Sequence, residues 1–332
     1  MDSTIKTLPL SNTRNRTYDY MKAFAIFLVV MDHTITLSDG IDNGFREFIY
    51  SVHMPLFFIV SGFLAAKFHQ SCAEWLRFFK KKVRLLIPFL VFTLGDCIIL
   101  HHSFDGYLGW NKFGLWFLWT LFLFFTIYSI TQVLIIKVKS KYIDIIAMLV
   151  VSGVFIVLRR YSDTAIGGVF NFLNLYNYIF FILGVVINRY SLKQYVLRDD
   201  IQFILLVIYV IGLSSGFSLL NIPMKACGIL FIFGCFEKIT SKPLALPGGG
   251  IVDSLICTIG ENSLHIYILH FYLIHSIKHL PEYIHSFIFM SAAFYLPLYT
   301  ILSCLIIAIC IVIKSVVCQN KYVRIYVFGE KN

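Results

Sequence analysis

Charge is what this chain has least of. Asp, Glu, Lys and Arg make up 14% of its 332 residues, where an ordinary soluble domain carries about 25%. So few charged side chains cannot cover a water-facing surface. That excludes a soluble globular enzyme, a disordered chain and a nucleic-acid binder, so the formal net charge of +10 needs another origin than a polyanionic partner. The eight cysteines, at 72, 97, 227, 235, 257, 304, 310 and 318, include no CxxC pair and mostly lie in apolar runs. This argues against a disulfide framework or zinc site and for small, soft packing residues. No set of residues has metal-ligand spacing, so no metal is expected. The apolar runs lack two-residue alternation and are too long for barrel strands. Internal repeats, low-complexity tracts and domain-separating linkers are missing too. The stretch 241–250 (SKPLALPGGG) is a Pro/Gly connection.

What the chain has is apolar length. Hydrophobic residues make up 58% and aromatics 17%, with a mean hydropathy of +0.79. A membrane span needs about 20 mostly apolar residues. Ten stretches answer to this: 22–38, 48–66, 85–101, 113–136, 142–158, 172–187, 201–219, 223–236, 258–277 and 287–313. The eighth is short and holds Lys225. The expected fold is therefore all-α, a polytopic helical bundle of about ten transmembrane helices in the lipid bilayer. It forms a single domain over 1–332, with short tails of about 1–21 and 314–332. With the N-terminus in the cytoplasm, inner loops and tails hold 21 Lys and Arg and outer loops hold five. Basic residues collect on the cytoplasmic side, which places both termini there, in a multi-pass protein of the cytoplasmic (inner) membrane, and explains the basic balance. The first span follows Arg14 and Arg16 without a small-residue cleavage site after it, and reads as a retained signal anchor. Neither end shows a lipidation signature.

Ionisable groups are costly in a bilayer, so each one found there is a candidate for function. In the first span, Lys22 and His33 are eleven residues apart; steps of about 100° bring them to one stripe, about 16 Å apart along the axis. Asp19 lies one turn before Lys22, within pairing reach. Asp32 points about 100° away from His33 and is no obvious orienter. Alone, Lys22 would read as a snorkelling lysine and His33 as a packing histidine; together on one face they favour chemistry. In the second span, His53 lies near the outer entry, and Ser61-Gly62 permits close backbone approach. Before the third span, Lys81 and Arg84 share a face at i, i+3 and suit phosphates of a cytoplasmic donor. Trp110 to Trp119, including Trp116, forms either an interfacial belt or a platform for a sugar ring. In the ninth span, Glu261, Asn262 and Ser263 look like capping chemistry, while Tyr267 and His270 share one face inside the membrane.

These segments, in this order, resemble the acyltransferase 3 family, especially its fucose 4-O-acetylase-like sugar acetyltransferases. The resemblance rests on DYMKAFAIFLVVMDH (19–33), HMPLFFIVSGFL (53–64), KKVRLLIP (81–88), LWFLWTLF (115–122) and GENSLHIYILH (260–270). It implies ten helices and a cytoplasmic acyl-CoA donor, commonly acetyl-CoA as cosubstrate. It further implies a hydroxyl acceptor on a lipid-linked or surface polysaccharide of the O-antigen kind. The family's basic residue and histidine map onto Lys22 and His33, and its Arg-x-x-Arg onto Lys81-x-x-Arg84, where lysine keeps the charge but loses the bidentate fork. No extracytoplasmic hydrolase-like domain is expected, so transfer finishes within the membrane domain. The implied roles are catalytic for His33, Lys22, Asp19, His270 and Tyr267, and donor-binding for Lys81 and Arg84. His53, Ser61, Trp116 and Asn262 are expected to bind the acceptor. His33 acts either as a general base on the sugar hydroxyl or as a nucleophile carrying the acyl group. A secondary transporter or glycan flippase is the alternative class, although paired repeats and Gly/Pro-broken helices do not stand out.

Overall fold

The structure, a computed structural model, describes residues 15–35, 43–67, 71–99, 112–138, 140–159, 173–215, 221–241, 249–276 and 292–330. The first fourteen residues, Trp110 and the outer or inner ends of several expected spans lie outside these. Among the described residues every regular element is a helix and none is a strand. The fold is an all-α helical membrane bundle.

The first helix, α1 (Arg16–Ile35), contains no Gly or Pro and starts where the Asn15 side chain accepts the Thr17 N–H at 3.0 Å. Most of its side chains are buried on every face, from Asp19 and Met21 to Asp32 and Ile35. A helix buried all round sits at the centre of a bundle. Around α1 pack α2 (Asn43–Ala65) and the later helices α10 (Asn221–Thr240), α11 (Gly249–Glu261), α12 (Ser263–Ser276) and α13 (Ala292–Val317). The polar groups of α1 therefore face protein rather than lipid.

Next comes α3 (Cys72–Lys82), amphipathic and capped by Ser71, whose hydroxyl accepts the Glu74 N–H at 3.3 Å. Its last turn carries Lys80, Lys81 and Lys82, where cations meet the negative end of the helix dipole. A tight turn over Val83–Leu85 leads into α4 (Leu86–Ile99). Pro88 lacks the N–H that would close a helical bond to residue 84, which accounts for the changed winding there. Then follow α5 (Trp116–Leu134), α6 (Lys141–Leu158), α7 (Tyr178–Arg189), the single turn α8 (Lys193–Val196) and α9 (Asp199–Ser215). After α13 a short α14 (Lys321–Tyr326) ends the described elements.

Each of the ten apolar stretches contains helix. Among the described residues, four segments alone have the length and hydropathy to cross a bilayer: Gly44–Ala65, Trp116–Leu134, Lys141–Leu158 and Leu296–Val317. The expected ninth span is broken at Asn262 into α11 and α12. Helical main-chain bonds continue on both sides of that residue, from Asn262 N–H to Thr258 and from Ile266 N–H to Asn262, and a Cβ on Gly260 would stand 2.1 Å from the Asp19 carbonyl oxygen, so the end of α11 lies against α1. The outer helices present bare apolar faces, including Ile146 and Val150 on α6, Phe203 and Ile211 on α9, and Ile301 and Val312 on α13. Such faces suit lipid, not water.

Two close contacts set the bundle's geometry. Gly62 and Gly184 face each other where α2 crosses α7; a Cβ at either would come within 2.1 Å of a carbonyl oxygen, Phe181 or Ile59. At the basic end of the bundle, the end bearing the start of α1 and the Lys80–Lys82 run, Arg189 is fully buried. Its guanidinium donates to Asp144 and Gln132, both at 2.7 Å, and to the Tyr128 hydroxyl. Tyr190 donates to the same carboxylate. This network ties α5, α6 and α7 together.

Candidate active site

Among the described residues two cavities stand out, one nearer each end of the bundle. The cavity away from the basic end has a volume of about 560 Å³ and is lined by Asp32 and His33 of α1, His53 and Pro55 of α2, Trp116 of α5 and Tyr267 of α12. Arg159, Tyr176 and Lys225 line it too, with the Arg159 guanidinium 3.9 Å from the centre of the Tyr176 ring. Helical spacing sets Asp32 about 100° from His33, yet both line this pocket. The Asp32 carboxylate lies 3.5 Å from Arg46 Nε.

His33 stands beside His270, their ring centres 5.2 Å apart. His270 is buried, and its Nδ1 lies 2.9 Å from the Ile266 carbonyl oxygen. That carbonyl can only accept, so Nδ1 carries the proton and Nε2 presents its lone pair. Among the described residues Nε2 has no hydrogen-bond partner. His53 repeats the arrangement, its Nδ1 being 2.5 Å from the Ile49 carbonyl oxygen. Two imidazoles, His33 and His53, thus line the pocket, and His270 stands against His33 without lining it; His53 and His270 are each held as one tautomer by the turn before them. Tyr267 is differently engaged: its hydroxyl donates to the Gly114 carbonyl and accepts the Phe117 N–H at 3.2 Å. It fixes the start of α5, which carries Trp116 into the pocket.

The second cavity, of about 470 Å³, lies at the basic end. Its lining combines Lys81, Lys82 and Arg84 with the apolar Leu85, Leu121, Phe125, Leu264 and Phe328. Ser61 lines this cavity and not the one that holds His53 and Trp116. The Lys82 ammonium sits 4.0 Å from the centre of the Phe125 ring. Burial pushes it down to about 8, with Lys81 beside it adding to the effect. Lys22 lines neither cavity; its ammonium is paired with Asp19 at 2.8 Å. Nor does Asn262, whose amide donates to the Thr258 carbonyl at 2.8 Å across the break between α11 and α12.

Three helices line both cavities: α2 through Pro55 and Ser61, α5 through Trp116 and Leu121, and α12 through Tyr267 and Leu264. At about 1.5 Å per residue these pairs are roughly 5–9 Å apart along the axes. The two pockets therefore share one seam. Between them lies a layer of rings: Phe117 packs 5.4 Å from Phe57, 5.3 Å from Phe58 and 5.3 Å from Tyr267. Sequence reasoning missed Arg46, Lys82 and Phe328. Lys82 sat in a visible basic run, but only the fold shows that it turns inward onto Phe125.

A lipid-facing helical bundle with an imidazole pocket stacked on a cationic one belongs to the class of integral membrane proteins with an internal polar site. Its sequence places it more closely: the acyltransferase-domain family known as acyltransferase 3 matches residues 15–314. The chain belongs to that family. It is also similar to "Nodulation protein NolL" of Sinorhizobium fredii (strain NBRC 101917 / NGR234), with 35% identity over 86 residues, 24% of this chain and 24% of that protein. The chain thus matches about a quarter of that relative's length. No solved structure matches.

Proposed function

We propose that the protein transfers an acetyl group from acetyl-CoA to a hydroxyl of a lipid-linked or surface polysaccharide. The observation that carries this reading is the stacking of the cationic pocket and the pocket lined by His33 and His53 on one seam. The basic end faces the cytoplasm under the positive-inside rule, which gives acetyl-CoA access to Lys81, Lys82 and Arg84. Ammonium and guanidinium groups hold phosphates through charge-assisted hydrogen bonds, and the apolar lining of that cavity accommodates the uncharged arm of the donor. The sugar enters from the opposite face, where Trp116, Tyr176 and His53 line the pocket.

In the step itself, His33 takes the proton of the sugar hydroxyl as the oxygen attacks the thioester carbonyl. The C–S bond breaks, CoA leaves as thiolate and collects the proton, and an O-acyl ester remains on the sugar. His270 is the second imidazole within reach of that proton. Lys22 and Asp19 act from a distance, as a pair that sets the entry of α1.

The test uses purified protein in lipid nanodiscs with labelled acetyl-CoA and isolated glycan. Label should pass to the glycan, and His33→Ala should lower the rate at least ~100-fold, the range of a lost acid–base group. Label trapped on the protein without acceptor would replace the base role of His33 by the nucleophile role. A solute crossing the bilayer with no CoA released would refute acyl transfer in favour of transport.

A further inference from the structure

After α13 the chain turns back against the basic end of the bundle. α14 is capped by Asn320, whose side chain accepts the Tyr322 N–H at 2.8 Å. The following residues are closed onto α14 by main-chain bonds from Phe328 to Val323 at 3.3 Å, Gly329 to Ile325 at 3.1 Å and Glu330 to Arg324 at 3.0 Å. This fold lays Phe328 and Gly329 into the wall of the cationic cavity. The segment lies beyond residues 15–314, the part of the chain that the family match covers.

Three contacts pin it there. The Phe328 ring is buried, 4.8 Å from His265 and 5.8 Å from Phe92, centre to centre. Gly329 has a φ of +67°, and a Cβ on it would stand 2.5 Å from the Arg84 carbonyl oxygen. Only glycine meets both conditions. Glu330 places one oxygen 3.0 Å from His265 Nε2 and the other 3.8 Å from Arg324 Nε. A lone carboxylate so near a phosphate site would repel an anionic donor; the Arg324 guanidinium offsets its charge.

We propose that residues 321–330 form the donor-positioning wall of the cationic cavity, in which Phe328 packs against the uncharged arm of an acyl-CoA while the Glu330–His265 contact latches the wall in place. The proposal rests on the donor reading given above. Phosphates on Lys81 and Arg84 leave the arm to run along Leu85, Leu121 and Phe328, the apolar lining of the same pocket. Phe328 and Glu330 are positioning residues; neither reaches the reacting carbonyl in this scheme.

Binding of CoA to the full chain in lipid nanodiscs, titrated at several salt concentrations, separates the two ideas. Phe328→Ala and Gly329→Ala should each weaken CoA about tenfold, the size expected for a lost buried aromatic contact, and equally at every salt concentration. Phe328→Leu should restore most of the affinity. Lys81→Ala and Arg84→Ala should weaken binding and also flatten its salt dependence, because they remove the screened charges. Wild-type affinity in both wall variants, with CoA lost in the basic ones, overturns the wall and leaves the donor site standing. No binding of CoA by the wild type, or full binding by the basic variants, overturns the donor reading and the wall with it. Should a wall variant unfold, hydrogen exchange of the wild type decides. CoA should slow exchange over 326–330, and unchanged exchange refutes the proposal.

Discussion

At the scale of single residues, the cationic cavity makes the sharpest demand on Lys82. Its ammonium is held over the Phe125 ring and pushed down to about 8 by burial, with Lys81 assisting. The group is charged below that pH and neutral above it, and an anionic donor needs it charged. The KM for acetyl-CoA should therefore rise as pH is raised through about 8. In Lys82→Arg, whose guanidinium stays protonated, that rise should vanish; donor KM measured from pH 6.5 to 9.5 in both proteins checks it. The pairing of Lys81 with Arg84 on one face was readable from the sequence because helical spacing is local. The inward turn of Lys82 was not, because Phe125 belongs to a different helix. Asp32 teaches the same lesson: helical spacing sets it about 100° from His33, but that both line one pocket depends on how wide the neighbouring helices leave it.

At the scale of elements, stability rests on close backbone contact and one buried ionic network. Gly62→Ala would drive a methyl group into the Phe181 carbonyl. Overpacking of this kind costs about 1–3 kcal/mol, so the thermal midpoint in detergent should fall, and Gly184→Ala should fall with it from the opposite side of the same crossing. Asp144→Ala should be harsher, because Arg189 would keep a fully buried charge. Stripping one partner from a buried pair costs about 3–5 kcal/mol, measurable as loss of monodisperse protein on size exclusion. The helices themselves were legible, since apolar length is written in consecutive residues. The close approach of Gly260 to α1 was not, since it is a contact between distant parts of the chain. Ser61 was assigned to the acceptor for the same reason: its position on α2 was clear, but which pocket that turn of α2 serves depends on α4, α12 and the 321–330 segment.

At the scale of the molecule, the basic end has a direction that can be measured. Cys72, at the start of α3, is exposed and free. With the basic end in the cytoplasm, a membrane-impermeant maleimide should label Cys72 in inside-out vesicles and spare it in right-side-out ones; a variant retaining Cys72 as its single cysteine makes the readout unambiguous. The reverse pattern would invert the donor and acceptor faces together.

The rings of Phe57, Phe58, Phe117 and Tyr267 between the two chambers carry a last consequence. A path open to water on both sides would short-circuit the energised bilayer around it. Rings packed between the two chambers would act as electrical insulation. Replacing Phe117 by alanine should therefore leave cells unable to hold their proton gradient, even where the enzyme still acylates.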